Sequence, residues 1–380
     1  SPIRIAAVVA LGFEGMTCIL LFVQSFRYAS FGYRLNIPLV MVMVVATGIA
    51  LAFVLFQDRS PGLLLCITMV AYGLTYVVSI LSFPLHSGRS DMLPLIVAGC
   101  QAFLTGITPY GYYDIPHHLV FTYLPGMWLS YLPAVAMNLD PRVINLGCVL
   151  ASVLLIAYTT RERCERSFVL LSVFIMTPYL QYRHEIYLGV LFLVLSIIYV
   201  LFMRNRWLAG SAAFGYALAT YQFSWLIFPF SLIHIYRRAG WEKTLLSLAV
   251  AVGVALTLIL PFLLLSPGLF LEGIYGHWLY VDVPTVNLSY LVSLLVPWDY
   301  LVVVQGVLVL LFLLVAVRNM NPRDLWGWMA VALLLFIALN RVIEVYFYLL
   351  VLLLLVFHGI ENEYGENGGG MNRNPNQQPE

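Results

Sequence analysis

Asp91 is the residue of this sequence best placed for acid–base chemistry. It stands in Gly88-Arg89-Ser90-Asp91-Met92, immediately before an apolar run that leads to Gly106. A carboxylate at such a point has two compatible uses. It accepts backbone N–H groups as a helix N-cap. At a membrane surface it also takes the proton of a hydroxyl nucleophile as a general base. His86, His117, His118 and Asp114 lie nearby in sequence. Adjacent histidines do not readily ligate one ion from a regular element, and no HExxH-type spacing occurs. No metal site or metal cofactor is expected.

Other polar groups interrupt the apolar chain at Arg183-His184-Glu185, at Tyr221-Gln222, at Gly276-His277-Trp278-Leu279-Tyr280 and at Asn340-Arg341. Ionisable side chains near membrane depth are costly and need a reason. Each has a structural one. Arg183 serves as an interfacial anchor, and Arg341 as the i,i+3 partner of Glu344. Trp278 and Tyr280 serve as interface-seated aromatics.

These groups must be positioned by membrane-spanning helices. Of 380 residues, 62% are hydrophobic and 10% charged, with a mean hydropathy of +0.92. A soluble globular chain carries about 25% charged residues. The net charge of +1 gives no reason to expect a nucleic-acid partner. The five cysteines fit no zinc or CxxC pattern and read as packing residues. Neither a P-loop nor a GxGxxG after a strand occurs, so no nucleotide site is expected. The opening Ser1-Pro2 shows no cleavable signal peptide, and the absence of Met there suits a start further upstream.

The composition predicts an all-α, polytopic transmembrane bundle with about ten crossings. The spanning candidates are Ile5–Phe26, Ile37–Phe56, Gly62–Phe83, Val143–Thr160, Phe168–Leu180, Ile186–Met203, Trp207–Thr220, Phe223–Tyr236, Leu245–Leu265, Leu301–Val317, Leu325–Leu339 and Val342–His358. Three of them, at 168, 207 and 223, are short enough to require tilting or a hairpin. Residues 1–61 read as an N-terminal transmembrane hairpin, 62–360 as the main transmembrane domain, and the Asn-, Gly-, Glu- and Pro-rich 361–380 as a disordered tail.

Two stretches are mixed in character, Pro84–Asp140 and Ser266–Asp299. The second has no Lys or Arg, whereas Arg161, Arg163 and Arg166, and Arg237, Arg238 and Lys243, fall between spans on the opposite side. The positive-inside rule then places both mixed loops outside the cytoplasm. Within the first, Asp91 and Gly106 bracket an interfacial helix, with Asp91 as N-cap and Gly106 at the C-terminal cap. The density of Tyr, Trp and Pro after it suits a loop pressed onto headgroups.

The order of these features resembles the GT-C superfamily of membrane glycosyltransferases, which use polyprenyl-phosphate sugars as donors. The match rests on Asp91 after a spanning helix, then Gly106-Ile107-Thr108-Pro109-Tyr110, then Phe121-Thr122-Tyr123-Leu124-Pro125. It continues through Thr177-Pro178-Tyr179, Arg204-Asn205-Arg206-Trp207 and Phe228-Pro229-Phe230. It ends at Asn340-Arg341-Val342-Ile343-Glu344-Val345-Tyr346-Phe347, which resembles the Asn-Lys-Val…Tyr-Phe motif of mannosyltransferases. Three departures stand out. Arg341 replaces the motif's Lys, and Tyr221-Gln222 replaces a Lys-containing turn. Two extra helices also precede the Asp91 loop.

The resemblance implies an inverting transfer of a hexose, mannose first among candidates, from polyprenyl phosphate to an acceptor hydroxyl. The site would lie on the extracytoplasmic face of a cell membrane. The acceptor would be a glycan, glycolipid or glycoprotein. Asp91 becomes the base. Arg183 and Arg341 become the bidentate contacts of the donor phosphate, with His277 and Gln222 adding hydrogen bonds. His184, Glu185 and Glu344 support them. Trp278 and Tyr280 stack on a sugar face, and Tyr110, Asp114 and His118 line the acceptor side. The lipid-linked sugar is a co-substrate, and neither a cofactor nor a divalent metal is required. The competing readings are a lipid-linked glycan polymerase or ligase, a transporter, and a non-enzymatic subunit of a membrane complex. The lack of an internal repeat argues against transport.

Overall fold

The structure is a computed structural model of the chain. It describes residues 2–27, 44, 45, 47–51, 60–87, 90–115, 118–160, 165–175, 177, 187–276, 298–340 and 346–367. The chain divides into two compact units, residues 1–224 with 249–281, and residues 225–248 with 282–380.

The first unit begins with α1 (Pro2–Arg27) and α2 (Pro61–Ser82), which pack on each other. Pro61 occupies the first turn of α2, where its missing N–H costs nothing. Ser60 accepts the Leu63 N–H at 3.4 Å as N-cap. Next comes α3 (Met92–Leu104), about 20 Å long at 1.5 Å per residue. It ends as the sequence predicts. Gly106 has φ of 82°, its N–H reaches the Phe103 carbonyl at 3.0 Å, and the Ile107 N–H reaches Ala102 at 2.9 Å. This paired closure needs a left-handed residue, which glycine supplies without steric cost.

The region then forms a small antiparallel hairpin, β1 (Tyr112–Asp114) and β2 (His118–Val120), with Asp114 opposite His118. A further helix, α4 (Pro125–Ala136), follows. Both fall where a surface loop was expected. The strands are too short for an alternating pattern to register, and Pro125 and Pro133 disguise α4. Pro125 is at the helix start, where proline fits.

Helices α5 (Arg142–Thr159), α6 (Glu165–Phe174), α7 (Gly189–Met203) and α8 (Trp207–Leu218) complete most of the unit. α5 packs on α6 and α7, α7 on α8, α3 on α4, and α1 on α6. Two asparagines close turns in the manner of Gly106. Asn138 (φ 55°) ends α4 and Asn205 (φ 54°) ends α7, with the Leu139 and Arg206 N–H groups reaching back to Ala134 and Leu201 at 2.8 and 2.9 Å.

The expected runs Phe223–Tyr236 and Leu245–Leu265 are joined in one long element, α9 (Phe223–Leu265), which is non-helical only at Gly240 (φ 80°, ψ 180°). α10 (Pro267–Leu271) and a π turn (Glu272–Gly276) follow.

The second unit holds α11 (Trp298–Asn319), α12 (Leu325–Leu339) and α13 (Phe347–Asn367). α11 packs on α12, and α12 on α13. Phe312 and Trp328 meet at 4.9 Å, and Trp326 and Phe357 at 5.2 Å. Arg237 donates to the Met320 and Val317 carbonyls, so a cation stands at the C-terminal end of α11. α13 continues to Asn367, past Glu361, where the polar tail was expected to begin.

Among the described residues, five helical stretches are long and apolar enough to cross a membrane: Arg4–Val23, Pro61–Ser82, Arg142–Thr159, Phe223–Leu265 and Pro322–Leu339. Four shorter apolar helices accompany them, Met92–Leu104, Gly189–Met203, Val303–Asn319 and Phe347–Asn362. Large apolar side chains face outward on α1, α9 and α11, including Ile19, Leu264, Leu265 and Leu314. Lipid is the solvent that accepts such a surface. The chain is a helical membrane protein.

Candidate functional site

Asp91 occupies the N-cap position of α3, as expected, but its side chain does not cap the helix. The Ser90 hydroxyl instead accepts the Met92 N–H at 3.4 Å. The backbone of Asp91 is already helical (φ −87°, ψ −19°), whereas a capping side chain works best from an extended backbone. The carboxylate is half-buried and acts electrostatically on Tyr123.

Tyr123 opens a cluster of tyrosines. Its ring meets that of Tyr187 at 5.3 Å, edge to face, and Tyr187 meets Tyr221 at 6.0 Å. The Tyr187 and Tyr221 hydroxyls are 3.3 Å apart. Burial holds the Tyr123 phenol well above its ordinary pKa; neighbouring Tyr187 and the Asp91 carboxylate push the same way. Burial and Tyr187 do the same to Tyr221. These phenols are therefore neutral hydrogen-bonding groups rather than bases. Gln222 follows Tyr221 directly, and its Nε2 is buried without a hydrogen-bond partner.

The scaffold beneath is tied by buried hydrogen bonds. Tyr131 of α4 donates to Asn145 Oδ1 at 2.5 Å and to the Tyr187 carbonyl at 2.7 Å. The same Asn145 oxygen accepts the Gly189 N–H at 3.2 Å. The Gly126 N–H donates to the Ala219 carbonyl at 2.7 Å, which docks the start of α4 on the end of α8. A Cβ at Gly126 would lie 2.6 Å from Thr220 Oγ1 and 2.8 Å from that carbonyl. The starts of α4, α5 and α7 and the end of α8 thus converge below the tyrosines.

The hairpin carries a second polar group. Asp114 Oδ1 and His118 Nδ1 are 3.0 Å apart, and Tyr112 stacks on His118 with centroids 4.7 Å apart and planes 2° off parallel. The Tyr112 hydroxyl donates to Glu272. That hydrogen bond holds the exposed Tyr112 phenol above its ordinary pKa. Tyr110, by contrast, is a core residue. It is 1% exposed, packs against Phe121 and Phe270, and donates to the Tyr123 carbonyl at 3.0 Å.

Among the residues expected at a site, Asp91, Tyr110, Asp114, His118 and Gln222 are described, all in the first unit. Arg183, His184, Glu185, His277, Trp278, Tyr280, Arg341 and Glu344 lie outside the described residues. Sequence reading missed Tyr123, Tyr187, Tyr131 and Asn145 as a group. Tyrosine near a membrane interface is common enough to hide a cluster assembled from four separate segments. Nor does the sequence single out the guanidinium of Arg142. The structure buries that guanidinium completely, against Asp140 and the carbonyls of Phe83 and Ile80.

Among the described residues, no group of three or more His, Cys, Asp and Glu side chains is placed to hold a metal ion. No protein-family model matches the chain, and neither a curated protein nor a solved structure does.

Proposed function

We propose that this protein is a membrane glycosyltransferase that moves a hexose, mannose first among candidates, from a polyprenyl phosphate to an acceptor hydroxyl. The observation that carries the reading is the half-buried Asp91 carboxylate beside the Tyr123–Tyr187–Tyr221 cluster, with the unpartnered Gln222 amide next in sequence. A general base, hydrogen-bonding aromatics suited to a sugar face and a free amide donor are the parts such a transfer needs.

In the proposed step the acceptor oxygen attacks the anomeric carbon as Asp91 takes its proton. The bond from that carbon to the phosphate oxygen breaks, its electron pair leaves with polyprenyl phosphate, and the configuration inverts. The exposed Tyr112, Asp114 and His118 group suits the acceptor side. Arg183, Arg341 and His277 remain the proposed phosphate contacts, Trp278 and Tyr280 the proposed sugar contacts, and His184, Glu185 and Glu344 their supports.

The test is to incubate the purified protein with polyprenyl-phosphate mannose, glucose or arabinose, together with glycan and glycolipid acceptors, and follow donor consumption. Consumption of one donor, lost in Asp91→Asn with expression intact, supports the proposal. Full activity in that variant removes Asp91 as the base. Donor-independent uptake of a solute into proteoliposomes would instead make the protein a transporter.

A further inference from the structure

The second unit contains a cavity of about 370 Å3 lined by side chains of α11, α12 and α13. That volume is of the size small-ligand sites have. Its two ends differ in chemistry. Asp324, in the turn before α12, and His358, towards the end of α13, are polar, whereas Phe312, Trp328, Val331 and Leu355 are apolar or aromatic. Val331 follows Asp324 by two turns of helix and Leu355 precedes His358 by one, so the polar groups share one end of the helices and the apolar ones lie about 5–10 Å further in. Val331 and Leu355 are 41% and 44% exposed. The apolar end therefore opens sideways, where a membrane helix meets lipid.

Both polar groups lack a protein partner. Asp324 holds the N-cap position of α12, yet its side chain makes no capping hydrogen bond. Among the described residues nothing hydrogen-bonds or ion-pairs with that carboxylate. On His358, Nε2 lies 3.1 Å from Asn362 Nδ2. An amide nitrogen only donates, so Nε2 accepts and the neutral ring carries its proton on Nδ1. Nδ1 is buried without a partner. The ring sits close against α12, where a Cβ at Gly327 would be 3.2 Å from it. The cavity thus presents a free anionic acceptor and a free N–H donor at one end. Its other end has the Phe312–Trp328 pair, 4.9 Å apart, and two aliphatic side chains. An unmatched buried donor is costly, and a ligand that accepts from it removes the cost.

We propose that this groove binds the headgroup end of a phospholipid carrying a primary ammonium and a phosphate, as phosphatidylethanolamine does. The ammonium donates to the Asp324 carboxylate, and a phosphate oxygen accepts from His358 Nδ1. The acyl chains leave past Val331 and Leu355. The bilayer supplies the ligand, because the apolar end of the groove opens towards it. A primary ammonium has N–H groups for the carboxylate, and a trimethylammonium has none. A headgroup bearing only negative charge meets repulsion from Asp324. This site does not depend on the reading of the Asp91 region.

The test is native mass spectrometry of the delipidated full-length protein in detergent, titrated with phosphatidylethanolamine, phosphatidylcholine and phosphatidylglycerol of identical acyl chains. The expected result is one ethanolamine lipid per chain, retained at least about tenfold more tightly than the other two, the worth of one charge-assisted hydrogen bond. Asp324→Asn should abolish that preference. His358→Leu should weaken the ethanolamine lipid about tenfold, by loss of the phosphate contact. Should either variant fail to fold, Val331→Trp, at an exposed position, fills the mouth of the groove and should also displace the lipid. Equal retention of ethanolamine and glycerol lipids by the wild type overturns the proposal, as does a preference that survives Asp324→Asn or Val331→Trp. Choline lipid bound as tightly as ethanolamine lipid overturns the hydrogen-bonded ammonium and leaves an aromatic contact in its place.

Discussion

Arg142 forks onto Asp140, with Nε to Oδ1 at 2.9 Å and Nη2 to Oδ2 at 2.6 Å, and spends its remaining hydrogens on the end of another helix. Nη1 reaches the Phe83 carbonyl at 2.6 Å and Nη2 the Ile80 carbonyl at 3.1 Å. The last carbonyls of α2 have no partners within their own helix and carry partial negative charge. Arg142 supplies both hydrogen bonds and charge, so it locks the α2 end to the α5 start. Arg142→Met is expected to destabilise the protein by about 3 kcal/mol, because it strands the Asp140 carboxylate and two carbonyls. Thermal unfolding in detergent measures this. A Tm equal to wild type would show that water replaces the guanidinium.

The α4–α8 junction depends on the absence of a side chain. Gly126→Ala places a methyl 2.6 Å from Thr220 Oγ1 and 2.8 Å from the Ala219 carbonyl. The helices must separate, at a cost of about 1–3 kcal/mol. Gly111→Ala, with nothing within 4 Å of its new Cβ, is the control and should be close to neutral. Comparing the two variants by thermal unfolding isolates the close approach from the general cost of replacing glycine.

Gln222→Leu tests whether the buried amide meets a ligand. A donor hydrogen bond is worth about 1 kcal/mol net, and more to a charged oxygen. Loss of a phosphate or sugar contact should lower kcat/KM for the lipid-linked donor about tenfold. Unfolding temperature should stay at or above wild type, because an unsatisfied buried polar group is removed. A lowered Tm with unchanged kcat/KM would assign Gln222 a structural role.

The tyrosines of the Asp91 region make alkaline stability a readout of their packing. Burial pushes the Tyr113 phenol up to about 12 from its ordinary 10. The folded state therefore resists an ionisation that the unfolded chain accepts. The stability this contributes is intact below pH 10 and declines as pH rises from 10 through 12. Tyr113→Phe should flatten the fall in Tm over that window while leaving Tm near pH 7 changed little. An unchanged slope would mean the ring is solvated. Its hydroxyl donates to the Pro109 carbonyl at 2.8 Å, so the pH-7 value also reads that bond.

How much was legible varied by element. The runs at Ile5, Gly62, Val143 and Leu325 became helices within a few residues of their expected ends, because length and hydropathy alone dictate a backbone that satisfies itself in lipid. Gly106 was legible as a helix end because only a residue tolerant of positive φ closes such a turn. The α4 helix and the Asp114–His118 hairpin were not legible. Proline density masked the first, and three-residue strands carry no period. The Asp91 side chain departed from its expected capping role because its own backbone is already helical, not extended.

The sequence by itself determined that this chain belongs in a membrane, and that Asp91 stands at a helix start. Both follow from local rules: apolar runs seek lipid, and a polar residue before such a run marks a helix entry. Only the tertiary structure decided what the polar groups face. Tyr123, Tyr187 and Tyr221 are far apart in the chain and meet because Gly126 and Asn145 let four helix ends converge. Arg142 turned inward for the carbonyls of a helix about sixty residues earlier, and Glu14 stands buried midway along α1. Such partnerships rest on contacts across the fold, where burial sets a high cost on every unmatched charge or hydrogen bond, and no local spacing encodes them.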